Sequence, residues 1–177
     1  MEIRTSRFGK VLITEEDVIT FKEGLLGFSG LRGFVLLDDP QDDIFAWLQS
    51  CEDPNVAFPV LEPELFGAPK KFNISPRDLH QIESDTNEKC AFFSIVTIPE
   101  DPTNMTANLK APVVVNIDKR LARQCVLQDN KLAIREPIFT KLQQRVVQSS
   151  GETIKSKMDH LGVTVRLPEA PKPGAEA

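Results

Sequence analysis

The chain has 177 residues, 41% hydrophobic and 27% charged, enough apolar material for one globular domain with a tail. No apolar run approaches the ~20 residues that span a bilayer, and Met1-Glu2-Ile3-Arg4 lacks a basic patch feeding an apolar stretch, so a soluble intracellular protein is expected. The net charge is −5, and residues 34–68 hold Asp38, Asp39, Asp42, Asp43, Glu52, Asp53, Glu62 and Glu64 without one Lys or Arg, a field that disfavours nucleic acid and attracts basic proteins.

Short apolar and β-branched runs recur at 10–13, 18–21, 34–37, 44–48, 56–61, 90–98, 113–117, 124–127 and 132–134, and each reads as a strand. Turn chemistry separates most of them, as in Phe8-Gly9-Lys10, Asp38-Asp39-Pro40, Glu52-Asp53-Pro54-Asn55 and Asp129-Asn130. Between the second and third runs, Gly24, Gly27, Gly30 and Gly33 recur every third residue. A phosphate-cradling loop would need a following Lys-Ser/Thr or a strand-to-helix setting. Both are absent, and Leu25, Leu26, Phe28 and Leu31 point to a tight, packed turn.

Pro59, inside its apolar run, predicts an edge strand or a bulge, because proline has no N–H for a ladder. Residues 62–66 read as a single helical turn. A short helix should begin after Ser75, with Pro76 at its first position, Asp78 three residues beyond the cap, and Leu79 and Ile82 facing the core. Many short strands and few helices predict an all-β, small, compact β-barrel-like domain of short antiparallel strands with one or two short helices. That domain spans 1–145. From Leu142 the spacing turns helical, through Val146 and then Ile154, Met158 and Leu161, and the end is rich in proline, so 146–177 reads as a C-terminal extension of short amphipathic helix and flexible tail.

Chemistry-bearing motifs are sparse. Cys51, Cys90 and Cys125 are odd in number and widely spaced, as buried small hydrophobes are, and with His80 and His160 alone a zinc site is not expected. Asn73-Ile74-Ser75 and Asn104-Met105-Thr106 match the glycosylation pattern but mean nothing without a secretory route. Gly-x-Ser-x-Gly is absent, and the carboxylates sit in turns beside prolines, so no enzyme and no cofactor are expected. The rival readings are a small-molecule-binding or enzymatic β-barrel and an RNA-binding barrel. The most specific stretch is 106–116, where a polar loop carrying Asn108 and Lys110 runs into an apolar strand opened by Pro112.

Taken together, these segments resemble the bacterial flagellar assembly factor FliW family. Thr5-Ser6-Arg7-Phe8-Gly9 followed by 13–21 is similar to its opening hairpin, and Phe21-Lys22-Glu23-Gly24-Leu25-Leu26-Gly27-Phe28 to its Phe-Pro-Glu-Gly-Leu-Pro-Gly-Phe segment. Trp47-Leu48-Gln49-Ser50 with Asp53 and Ala57-Phe58, then 106–116 and Gln124-Cys125-Val126-Leu127, complete the match over about residues 3–140. Lys22 and Leu26 stand where the family carries prolines, and the tail beyond Leu142 has no counterpart in the family core.

The resemblance implies a cytoplasmic, monomeric protein that works by binding other proteins. It would bind newly made flagellin and, when released, bind CsrA, a small basic RNA-binding regulator dimer, relieving repression of flagellin mRNA. Asp38, Asp39, Asp42, Asp43, Glu52, Asp53, Asn108 and Lys110 are the expected protein-contact residues, the acids as one face for the basic partner. Leu25, Leu26, Phe28 and Phe66 are candidates for an apolar contact with flagellin.

Overall fold

The computed structural model describes residues 1–42, 44–66, 72–148 and 164–168, with side chains in the second helix described as far as Arg145. In chain order the strands are β1 Glu2–Thr5, β2 Gly9–Leu12, β3 Ile19–Phe21, β4 Gly33–Asp38, β5 Ala46–Ser50 and β6 Ala57–Leu61. Helix α1, Pro76–Gln81, precedes β7 Cys90–Thr97, β8 Thr106–Ala107, β9 Val113–Asn116, β10 Leu121–Gln124 and β11 Glu136–Pro137. Helix α2, Phe139–Gln148, and β12, Thr164–Arg166, complete the described elements.

Seven strands close on themselves. The sheet runs β7-β6-β5-β4-β3-β10-β9, and β9 pairs back onto β7 through Cys90↔Asn116 to Phe93↔Val113. Closure pairs most of the strand flanks and so limits the open edges that would template aggregation. Most pairings are antiparallel; β3–β10 and β4–β12 are parallel.

Strand alternation sends one set of side chains inward and the other outward. Phe34 and Leu36 of β4, Ala46 and Leu48 of β5, Val60, Phe93, Val113 and Val115 fill the lumen. The packing of Ile19, Leu36, Leu48, Val60, Phe93, Val113 and Val115 leaves no room there for a water-sized molecule. The outward set is covered too, which is why β4 and β5 read as continuous apolar runs. Val35, Leu37 and Trp47 are covered by Ile3, Val11 and Leu167; Phe92 and Val114 by Phe72, Ile74 and Ile82; Leu61 and Val96 by Leu65, Phe66 and Leu142.

The local signals for α1 hold. Ser75 accepts a hydrogen bond from the Asp78 N–H, Pro76 occupies the first turn, and Ile82 is buried. Asn116, buried on β9, donates to the Ile82 carbonyl at 2.9 Å and so fixes the end of α1 to the barrel. Pro63–Phe66 forms the expected single turn.

Several expectations are corrected. Pro59 lies in an inner strand opposite Trp47, yet the β6–β7 ladder holds only Val60↔Ile95 and Leu61↔Ser94, so Pro59 has no β7 partner. The strand expected at 124–127 is β10, shifted to Leu121–Gln124, because beyond it single bonds replace a ladder: Cys125 N–H to Pro112 O and Leu127 N–H to Lys110 O. Residues 132–134 form no strand, and the Ala133 carbonyl instead accepts from the Leu109 and Lys110 N–H groups. In the tail, α2 begins at Phe139, ahead of the expected Leu142, and Thr164–Arg166 returns to the barrel as a strand. Ile154, Met158 and Leu161 lie outside the described residues.

Candidate protein-binding surface

The acidic stretch lies on the two connections of the β4–β5–β6 meander. At one end, Asp38 closes β4, and the Asp39 carboxylate accepts the Gln41 N–H at 2.9 Å. Asp42 is the keystone of this loop. Its Oδ1 accepts the Ile44 and Phe45 N–H groups, each at 3.0 Å, and its Oδ2 accepts the Trp47 Nε1–H at 3.1 Å. Asp43 lies outside the described residues.

At the other end, Ser50 is buried and its hydroxyl accepts the Glu52 and Asp53 N–H groups at 3.1 and 3.0 Å. Glu52 accepts the Gly33 N–H at 3.0 Å and the Arg32 N–H at 3.2 Å, and Asp53 accepts the Asn55 N–H at 2.9 Å. Beneath the turn, the buried Gln49 amide donates to the Ser50 and Val56 carbonyls at 3.0 and 3.2 Å. Burial, with Glu52 adding to it, pushes the neighbouring Cys51 thiol up to about 11.

The acids therefore form two groups. The register Phe34↔Ser50 and Leu37↔Trp47 puts Glu52 and Asp53 at one end of the β4–β5 pair and Asp38, Asp39 and Asp42 at the other. A strand of this length separates the ends by roughly 16 Å. Both groups serve their turns as hydrogen-bond acceptors while keeping a negative charge at the rim.

Asn108 and Lys110 lie elsewhere, on the β8–β9 loop, with β6 and β7 between β8 and β5 in the sheet order. The Asn108 N–H donates to the Ile95 carbonyl, and its Oδ1 accepts the Ala111 N–H, both at 3.0 Å. Lys110 Nζ donates to the Asp129 carbonyl at 3.1 Å. Lys110 thus ties the loop to 125–133, while Asn108 closes the loop on itself and onto β7.

The glycine-rich turn presents an apolar face. Gly24 and Gly27 take positive φ angles of 69° and 84°, and the Phe28 N–H donates to the Leu25 carbonyl at 2.8 Å. This turns Leu26 (57% exposed) and Phe28 (37% exposed) outward, with Phe28 packed edge-on against Phe58 at 5.3 Å. Leu25 and Phe66, each 2% exposed, belong to the core and are not available to a partner. Beside this turn Arg123 bonds Asp78 and Glu23; burial works against its charge, and those two carboxylates more than offset it, raising its pKa.

Sequence reading missed one element of this surface. The Arg7 guanidinium lies 3.7 Å from the centre of the Trp47 ring, and Phe8 meets the same ring edge-on at 6.3 Å. The only cue was an Arg-Phe pair in the first hairpin turn. Among the described residues no three His, Cys, Asp or Glu side chains are gathered as metal ligands, and no helix is long and apolar enough to cross a membrane.

Comparison with known proteins gives a single family. The FliW protein family model matches residues 2–138. The flagellar assembly factor FliW of Bdellovibrio bacteriovorus is 64% identical over 167 residues, covering 94% of this chain and 95% of its own. That of Caldanaerobacter subterraneus is 38% identical over 143 residues, covering 80% of this chain and 95% of its own. A crystal structure of the flagellar assembly factor FliW superposes with a TM-score of 0.72 at 29% identity, covering 78% of this chain and 97% of its own. The matched residues hold the closed barrel, the acidic turns and the Asn108–Lys110 loop together, and the chain belongs to the FliW family of flagellar assembly factors.

Proposed function

We propose that this protein binds newly made flagellin in the cytoplasm and, when flagellin leaves, binds CsrA and relieves its repression of flagellin mRNA translation. It acts by binding alone, as a monomer, without cofactor and without touching nucleic acid. Family membership supports the setting, and the observation that carries the mechanism is the unbroken negative charge of residues 34–68 on the two rims of the β4–β5–β6 meander.

Complementary charge accelerates encounter with a basic dimer and penalises wrong partners. Asp38, Asp39, Asp42, Asp43, Glu52 and Asp53 supply that charge, with Asn108 and Lys110 as contacts from the bracing loop. Flagellin's terminal segments are amphipathic helices when folded, and such segments bind exposed apolar surface. Leu26 and Phe28, backed by Phe58, offer it. The filled lumen speaks against a small-molecule site inside the barrel.

The test is charge reversal read at two salt concentrations. Asp39→Lys and Glu52→Lys, one from each rim, should each slow CsrA association several-fold, and together on the order of tenfold, at low salt. The difference should shrink as salt screens it. Association rates unchanged by both substitutions would remove the acidic rims from the mechanism.

A further inference from the structure

The outer flank of β4 is shared by two strands. β3 pairs only with its first residues, through Thr20↔Gly33 and Ile19↔Phe34. Beyond Phe34 that flank would be an open edge, and open edges pair readily with another strand. β12 occupies it in parallel, through Thr164↔Leu36, Val165↔Leu37 and Arg166↔Asp38, and the Leu167 N–H donates to the Asp38 carbonyl at 2.9 Å. Leu167 is buried among Ile3, Val11, Val35, Leu37 and Trp47, and Val165 packs beside it. Arg166 is exposed, in register with Asp38, and shares a groove of about 540 Å³ with Asp39 and Gln41.

The edge belongs to the family body and its cover does not. The family match ends at residue 138, and the solved relative accounts for 97% of its own length on 78% of this chain. The Bdellovibrio relative, by contrast, aligns over 94% of this chain. The edge therefore lies within the family match, and the strand that covers it lies beyond that match.

We propose that the Leu36–Asp38 edge of β4 is a docking site for an extended segment of a partner protein, added as a parallel strand, and that residues 164–168 are its intramolecular occupant. The occupant shows the chemistry the site selects: an apolar residue at each position facing the first hairpin and Trp47, and a base between them beside Asp38 and Asp39. Three paired residues and one buried leucine hold it, so its grip comes largely from tethering, which gives a covalently linked segment an effective concentration of roughly millimolar order. A partner segment displaces it by binding the same edge more tightly. This holds whichever proteins the family surface recognises.

The experiment uses the full chain and a synthetic peptide of residues 162–170. Because the Leu167 N–H points at β4, the strand period of two points the Val165 N–H there too. Val165→Pro should therefore unseat the strand. Hydrogen exchange at the Leu36 and Asp38 amides, which face β12, should speed at least tenfold, while the Leu37 amide, which faces Trp47 of β5, and the Val113–Asn116 amides of the barrel stay protected. Added peptide should restore protection saturably, and an Arg166→Glu peptide should need several-fold more. If Val165→Pro disturbs the barrel amides, Leu167→Ser serves the same purpose. Unchanged exchange at Leu36 and Asp38 in an unseated variant, or added peptide that fails to restore their protection, would overturn the proposal.

Discussion

Arg7 and Trp47 meet face to face: the guanidinium from the first hairpin turn lies 3.7 Å from the centre of the indole on β5. The edge of the same indole donates to Asp42 at 3.1 Å. One aromatic residue is therefore clamped between a cation from one hairpin and a carboxylate from the acidic loop, and it couples the β1–β2 layer to the barrel wall. Trp47 is the chain's only tryptophan, so its fluorescence reports this junction alone.

Arg7→Ala should shift that emission and destabilise the fold by about 0.5–1 kcal/mol, the range of an exposed cation–π contact. Arg7→Lys should recover part of the stability and less of the spectrum, since an ammonium does not stack as a planar guanidinium does. Urea unfolding followed at Trp47 checks both.

Asp42→Asn keeps one carbonyl oxygen but places an amide where Trp47 Nε1–H needs an acceptor. The expected loss is about 1–3 kcal/mol, the effect of leaving a hydrogen-bonding group without its partner. Asp39, whose carboxylate accepts the Gln41 N–H, should lose about 0.5–1.5 kcal/mol on the same change. Equal midpoints for the two variants in urea would show that Asp42 is not the keystone of its loop.

Gly24 and Gly27 separate conformation from space. Alanine at either suffers the left-handed backbone, roughly 1–2 kcal/mol. At Gly24 the new Cβ would also meet the Phe28 carbonyl oxygen at 2.5 Å, whereas at Gly27 it meets open space. Gly24→Ala should therefore lose more stability than Gly27→Ala, and should change the exposure of Phe28. Thermal unfolding of the two variants decides it.

Cys51 gives the fold a pH dependence on the alkaline side. Its thiol rises from an ordinary 9.0 to about 11 in the folded chain, so above 9 the unfolded state loses that proton first. Stability from this group is complete below pH 9 and disappears as pH climbs through 11. Cys51→Ala should flatten the fall in urea midpoint over that window, and alkylation of Cys51 should stay slow at pH 8.

Much of the barrel was legible in the sequence because β4 and β5 are buried on both faces, so Phe34–Leu37 and Ala46–Leu48 read as unbroken apolar runs. Helix α1 was legible for a local reason, the Ser75 cap with Pro76 and Asp78 in fixed spacing. Pro59 misled because ladder partners are non-local: its inner position is compatible with proline only where β7 pairing has not begun. The division of the acids into two rims was hidden likewise, since only the β4–β5 register puts Asp39 and Glu52 at opposite ends. Strand β12 does carry a local signal, Val163-Thr164-Val165-Arg166-Leu167 alternating apolar and polar between Gly162 and Pro168, but the helical spacing and proline content of the surrounding tail outweighed it. The Arg7–Trp47 stack joins positions 40 residues apart, beyond the reach of any periodicity.

The most direct measurement is a competition between the two proposed partners on this protein. Immobilised full-length chain should capture purified monomeric flagellin, and separately CsrA, each saturably. Preloading with flagellin should suppress CsrA capture, and Asp39→Lys with Glu52→Lys should weaken CsrA capture while leaving flagellin capture intact. Failure to capture either partner, with the barrel shown folded by its Trp47 emission, would contradict the account.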